Sequence, residues 1–182
     1  LCLIASVVLL AVRSSLQYWA TLIAMACLIV AGWRVTTQQS TTSDDKTLLW
    51  RAEGAYGWID VLKHKRSGVL SLRENINYTH GSTASATWER RQSHLPLLIH
   101  PDPQEVLYLG SGTGATAGGA TMHEEVQSIV IAELIPEVIE AARMFEKSNL
   151  GVLEDRRTEV HLDDARHYLL TTGRRFDVII AD

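Results

Sequence analysis

An α/β fold built on a doubly wound parallel sheet is what this sequence predicts, and three observations carry that prediction. The apolar run Val106-Leu107-Tyr108-Leu109 stops at Gly110 and continues as Ser111-Gly112-Thr113-Gly114-Ala115, the pattern of a buried strand, a tight glycine turn and a helix start. Strand-like apolar runs recur at 128–132, 158–162 and 176–181, separated by stretches with helical spacing. Each of those runs ends at an acid: Glu133, Asp163-Asp164 and Asp182. Repeated strand–helix units of this kind pack as a parallel sheet with right-handed crossovers.

The 182 residues before and within that pattern are not uniform in composition. Residues 1–34 carry no Asp or Glu and only Arg13 and Arg34, whereas 35–182 carry 15 basic and 21 acidic residues, a formal −6. The mildly acidic balance argues against a nucleic-acid surface. Leu1–Val12 is almost wholly apolar, Arg13–Gln17 interrupts it, and Tyr18–Trp33 follows without a charge, with Tyr18-Trp19 and Trp33 at its edges. That length is at the short end for a bilayer span, and aromatics at the rims suit an interface. Residues 1–34 are therefore expected to form a transmembrane helical hairpin that attaches the chain to a membrane. The rival reading, a signal peptide, is opposed by the missing basic segment before Leu1 and by the second apolar run. Arg34, Lys46 and Arg51 follow the second helix, against Arg13 alone in the turn, which assigns the soluble part to the cytoplasmic side. Cys2 and Cys27 both lie in the apolar runs and give no disulfide framework. Because the chain starts at Leu1 rather than Met and stops at Asp182 directly after a strand, it reads as a fragment with a truncated sheet.

Val35–Lys46 is polar and without apolar period, and residues 35–50 are assigned to a linker. Residues 51–103 read as a small β-hairpin subdomain with a connecting helix: Gly57–Leu62 and Gly68–Leu72 as strands around the basic turn Lys63–Ser67, Asn75–Tyr78 as a short third strand, and His80-Gly81-Ser82 as a break. Trp88–Ile99 follows as a helix that Pro96 is expected to kink, closed by His100-Pro101-Asp102-Pro103. Residues 104–182 hold the parallel sheet. There Pro136 opens a helix with Val138, Ile139, Ala142 and Phe145 on one face, Asn149-Leu150-Gly151 closes it, and Ala165–Leu170 forms a shorter one.

Ligands of such sheets bind beyond the carboxyl ends of the strands, where the glycine loop, Glu133, Asp164 and Asp182 are delivered in turn. Gly110, Gly112 and Gly114 allow positive φ and close approach of a ligand to the main chain. Glu133 lies 23 residues past Gly110, the spacing of an acid that accepts from both hydroxyls of a ribose. That spacing suits NAD enzymes and adenosyl-sulfonium enzymes equally. Asp164 fits an adenine amino group, with Asp163 as its competitor for the helix N-cap. Asp182 would face the reacting end, where a carboxylate can take a proton from an amine. The seven histidines show no metal-ligand spacing, so no metal is expected.

The stretches Tyr56–Val61, Glu89–Pro101, the glycine loop, Glu133–Val138 and Phe176–Asp182 together resemble the spermidine synthase (polyamine aminopropyltransferase) family in its membrane-fused bacterial form. The resemblance covers about residues 54–182. It implies a small β-domain before a methyltransferase-like Rossmann sheet, with decarboxylated S-adenosylmethionine as co-substrate and a small amine as acceptor. By the same resemblance Glu133 holds the ribose, Asp164 meets the adenine, Asp182 deprotonates the attacking amine, and Asn77 stands for the family's glutamine after the hairpin. It further implies a multi-pass protein of a bacterial inner membrane, and leaves room for a homo-oligomer. The sequence departs from the family at Thr113, where its loop has an aspartate, and at Trp88-Glu89-Arg90, where its Tyr-His-Glu stretch ends in an acid. Each change lowers the attraction for a cation.

A membrane-tethered transferase moving an aminopropyl group to a polyamine is the leading expectation. An S-adenosylmethionine-dependent methyltransferase shares the sheet and Glu133 and is the alternative. A non-catalytic nucleoside-sensing membrane protein is a third reading, motivated by Thr113 and Arg90. An NAD-dependent oxidoreductase comes last, because it leaves Asp164 and Asp182 without work.

Overall fold

The computed structural model describes residues 23, 25–27 and 45–181. The chain divides into two units, Leu1–Thr41 and Thr42–Asp182, and the fold described below is that of the second. Of the first unit, only Ile23 and Met25–Cys27 are described, as helix, so the expected transmembrane hairpin of residues 1–34 lies almost wholly outside the described residues. Among the described residues no helix is long and apolar enough to cross a membrane.

Two four-stranded sheets make the second unit. The first is antiparallel in the order β1 (Lys46–Gly54), β2 (Gly57–His64), β3 (Leu70–Glu74), β4 (Tyr78–Ser82). The hairpin expected around residues 63–67 is its centre, but the sheet is larger than the sequence suggested. β1 begins at Lys46, inside the stretch 35–50 assigned to a linker, so the linker assignment is corrected there. What holds β1 is a tertiary interaction: Arg51 faces Asp60 in register and grips it with two bonds, Nε–Oδ1 at 2.6 Å and Nη2–Oδ2 at 2.9 Å. Arg73 meets Asp60 from the other neighbouring strand at 3.0 Å, leaving this fully buried carboxylate paired on both sides. Asn75 to Asn77, expected to start a strand, form a turn instead. Asn75 takes φ 51°, and its side chain accepts from the Trp58 amide at 3.1 Å. The fourth strand is consequently Tyr78–Ser82 and runs through the expected break at residues 80–82.

Helix α1 (Ala86–Ile99) connects the sheets and continues through Pro96. The second sheet is parallel, in the order β7 (Thr158–Leu162), β6 (Ser128–Glu133), β5 (Glu105–Leu109), β8 (Val178–Ala181). Alternation along the strands separates two cores. Val106, Tyr108, Ile129 and Ile131 point to the face covered by Leu97 of α1, Ala117 of α2 (Ala115–Gly118) and Val152. Leu107, Val130 and Ala132 point to the opposite face, under Tyr168 of α5 (Ala165–Thr171). Ser93 of α1 bonds the buried Tyr108 hydroxyl, and burial raises that phenol to about 12.

The helix expected from Pro136 is divided: α3 (Pro136–Ala142), a 3-10 turn, then α4 (Glu146–Asn149). Val138, Ala141 and Phe145 pack against Ile59, Val61 and Leu72, so this segment joins the antiparallel sheet to the parallel one. Gly118 lets α2 approach α4 closely. A Cβ there would lie 2.2 Å from the Asn149 carbonyl oxygen. Since β6 and β7 lie on one side of β5 and β8 on the other, the strand order reverses at β5. Such a reversal opens a crevice at the carboxyl edge of the sheet.

Candidate functional site

The glycine loop leaves β5 and is held from four directions. Gly110, Gly112 and Gly114 take φ 100°, 50° and 80°, conformations costly for residues with a Cβ. The Gly110 amide donates to the Ala132 carbonyl at 2.9 Å, and the Gly114 amide to the Ser111 carbonyl at 2.7 Å. Glu133, at the end of β6 and 6% exposed, accepts the Ser111 amide on Oε2 and the Ile135 amide on Oε1, both at 2.9 Å. From α4, Asn149 donates through Nδ2 to the carbonyls of Thr113 and Ala142, at 3.0 and 2.9 Å. From α1, Glu89 accepts the Thr113 hydroxyl at 3.0 Å and the Ser85 hydroxyl at 2.6 Å.

Gly110, Glu133 and Asp164 line one opening of about 240 Å³ at the carboxyl edge, together with Leu109, Leu134 and Arg166. The two leucines offer an apolar surface beside the acids. Gly112 and Gly114 shape the loop, and Gly114 stands at the N-terminus of α2. Asp164 takes the N-cap position for which Asp163 was the competitor: Oδ1 accepts the amides of Arg166 at 2.8 Å and His167 at 3.2 Å. Those amide bonds, followed by the Arg166 side chain, hold its carboxyl below the usual range. Asp163 instead meets the His167 Nδ1 at 2.7 Å, one turn along α5.

Two of the expected site residues are not brought to this opening. Asn77 is exposed in the β3–β4 turn and is not among the residues that line it, because the Asn75 conformation turns the chain back before β4. Asp182 lies outside the described residues. The strand that leads to it ends with Ala181 paired to Leu109, one position before Gly110. Three further side chains belong to this region and were not assigned to the site from the sequence. Glu89 and Asn149 reach Thr113 across 24 and 36 positions, and Arg166 lines the opening from α5.

A larger opening of about 860 Å³ lies at the opposite edge, lined by Thr121, Gln127 and Asp155–Arg157 ahead of β6 and β7. Its main charge is already used. The Arg157 guanidinium donates to the carbonyls of Thr121, His123 and Val126 at 2.9–3.0 Å and pairs with Asp155 at 2.8 Å. The candidate site is therefore placed at the edge that carries the loop and its acids rather than at the larger opening.

Residues 88–182, just over half of the chain, match the spermine/spermidine synthase domain. A polyamine aminopropyltransferase of Thermotoga petrophila is 32% identical over 68% of this chain and 42% of its own length. Another of Caldicellulosiruptor saccharolyticus is 36% identical over 74% of this chain and 48% of its own. Among solved structures, a spermidine synthase in complex with the transition state analogue AdoDATO superposes with a TM-score of 0.67 at 26% identity, covering 74% of this chain and 47% of that one. The Thermotoga maritima spermidine synthase gives the same score and identity. The chain spans less than half the length of these relatives. With the loop and the strand-end acids inside the matched residues 88–182, the chain belongs to the spermine/spermidine synthase family.

Proposed function

We propose that this chain carries the donor-binding part of an aminopropyl transfer site, which uses decarboxylated S-adenosylmethionine and passes its aminopropyl group to a polyamine amine. The observation that supports it most is the state of Glu133. Each carboxylate oxygen has two lone pairs. Each accepts one backbone amide, so two acceptor positions remain on a rigidly held group at the opening. A ribose diol supplies two donors. Both amide bonds to Asp164 fall on Oδ1, which leaves Oδ2 to accept an exocyclic amine of the base. The loop amides and the missing Cβ atoms suit close contact with the nucleoside.

In the transfer, the lone pair of the amine forms a bond to the propyl carbon beside the sulfonium as that carbon–sulfur bond breaks. The electron pair goes to sulfur, methylthioadenosine leaves neutral, and the new ammonium gives up one proton. Asp182 is the residue we assign to accept it, on the family resemblance. Rate enhancement comes from aligning the two reactants and from that proton transfer. Residues 1–34 are read as the membrane attachment, which keeps the soluble part at the cytoplasmic face of a bacterial inner membrane. The uncharged run Tyr18–Trp33 supports this, and detergent partition of the full chain against a chain from Lys46 tests it.

The reaction is tested by offering decarboxylated S-adenosylmethionine and S-adenosylmethionine separately with putrescine or spermidine, and following methylthioadenosine by mass spectrometry. Release from the decarboxylated donor, lost in Asp182→Asn by about 10²–10⁴ in rate, is expected. Methyl transfer from S-adenosylmethionine would move the assignment to the alternative.

A further inference from the structure

Resting on the nucleoside reading above, we propose that Glu89 reads the cationic end of the bound donor and makes the site select decarboxylated over carboxylated sulfonium nucleosides. The loop itself has no acid between Gly110 and Gly114, and Thr113 ends in a hydroxyl. That hydroxyl is not idle. It donates to Glu89 Oε2 at 3.0 Å, while Ser85 donates to Oε1 at 2.6 Å. The two bonds fix a carboxylate of the first turn of α1 against the loop.

No cation pairs with that charge among the described residues. Glu89 is half-buried and, among the described residues, is held by hydroxyls and forms no ion pair. The adjacent cation, Arg90, is engaged elsewhere: its Nη1 donates to the Ser148 carbonyl at 2.6 Å and its Nη2 approaches the Thr87 hydroxyl at 3.4 Å. His80 on β4 pairs with Glu74 at 3.2 Å. A carboxylate partly removed from water and without a cation is a position where an ammonium gains most. Space for this arrangement is kept by Gly81, since a Cβ there would lie 2.8 Å from Glu89 Oε1 and 3.1 Å from Thr113 Cγ2.

The glycine loop thus has a carboxylate at each end. Glu133 holds the Ser111 end and Glu89 the Thr113 end. A sulfonium nucleoside has the same division, a diol on the sugar and an amine at the tip of its sulfur substituent. When the substituent ends in an ammonium alone, Glu89 attracts it. When it also carries a carboxylate, Glu89 repels that second charge, and selectivity follows from the difference. The acid is carried by α1 and reaches the loop through Thr113, which answers the apparent loss of cation affinity at Thr113 and Arg90.

The test is calorimetry on the full chain with methylthioadenosine, decarboxylated S-adenosylmethionine and S-adenosylmethionine, using wild type, Glu89→Gln and Glu89→Asp. Wild type should prefer the decarboxylated ligand to S-adenosylmethionine. Glu89→Gln should weaken the decarboxylated ligand roughly 10- to 100-fold, the worth of a charge-assisted hydrogen bond, and keep methylthioadenosine within about twofold. Glu89→Asp should recover part of the preference. Equal weakening of methylthioadenosine would make Glu89 a loop support only and overturn the proposal. So would an unchanged preference in Glu89→Gln, or none in wild type that binds methylthioadenosine. Wild type that does not bind methylthioadenosine would sink the nucleoside reading itself, and this assignment with it.

Discussion

Replacing Glu133 with glutamine should cost both fold stability and nucleoside affinity, and the structure says how the two losses divide. The wild-type carboxylate accepts two buried amides, from Ser111 and Ile135, each at 2.9 Å. The isosteric amide keeps one acceptor oxygen and turns an NH₂ towards the other amide, so one of the two bonds is lost. A bond to a charged acceptor is worth about 1.5–3 kcal/mol, which sets the expected loss of unfolding free energy. Glu133→Ala loses both bonds and should cost about twice as much. Urea unfolding followed by circular dichroism reads this directly, provided the slope with urea is unchanged. Calorimetry with methylthioadenosine under conditions where the variant is folded then reads the second loss, again about 1.5–3 kcal/mol for Glu133→Gln. If Glu133→Gln lies within about 0.5 kcal/mol of wild type in stability, the carboxylate is not holding the loop as described. If stability falls but affinity does not, Glu133 is a structural acid and leaves the binding site.

Four other expectations follow from particular contacts. Asp60→Asn breaks a fully buried carboxylate away from Arg51 and Arg73 and should destabilise by about 3 kcal/mol in denaturant; a loss under about 1 kcal/mol would contradict its role in fastening β1. Burial opposes ionisation of Asp60, yet the two arginines hold its carboxyl below 3.8, so its stabilisation is present above that value and lost as pH falls through the depressed one. His94 is held below 6.5 by burial, then by His123, 2.8 Å away, and by Arg90; the unfolded chain takes the proton first, so stability should fall as pH drops below 6.5, and His94→Gln should flatten that part of a thermal-melt profile. Gly118→Ala should cost about 1–3 kcal/mol in urea because its methyl meets the Asn149 backbone, and a neutral result would deny the close packing of α2 on α4. Ser111→Ala should be neutral or gain about 1 kcal/mol, because the Ser111 hydroxyl is buried without a partner among the described residues; clear destabilisation would show a bond that the structure lacks.

The parallel sheet was legible because its signals are local. Apolar runs of strand length, glycines at the turn and Pro136 at a helix start each act within a few residues, and the acids at 133 and 164 fell at strand ends as the periodicity required. The antiparallel sheet was only half legible. β1 starts at the end of the polar stretch 35–46 and is fastened by Arg51 across from Asp60, and β4 contains Gly81, where a Cβ would meet Glu89 and Thr113. Which of the two adjacent aspartates caps α5 depends on which meets the amides, and the backbone geometry gives that place to Asp164. Asn77 lies in a turn rather than on the expected strand because Asn75, two residues earlier, takes a left-handed conformation. Glu89 was passed over since its partner in the loop lies 24 residues away.

On the function proposed above, the carboxyl edge of the parallel sheet, and not the larger opening at the other edge, receives an adenosyl-sulfonium ligand. Titration of the full chain with methylthioadenosine, followed by amide chemical shifts, distinguishes the two edges. Saturable shifts at Gly110, Ser111, Gly112, Leu134 and Ala165, with Gln127 and Arg157 unmoved, are predicted. Shifts confined to Gln127, Asp155 and Arg157, or no saturable change anywhere, would contradict it.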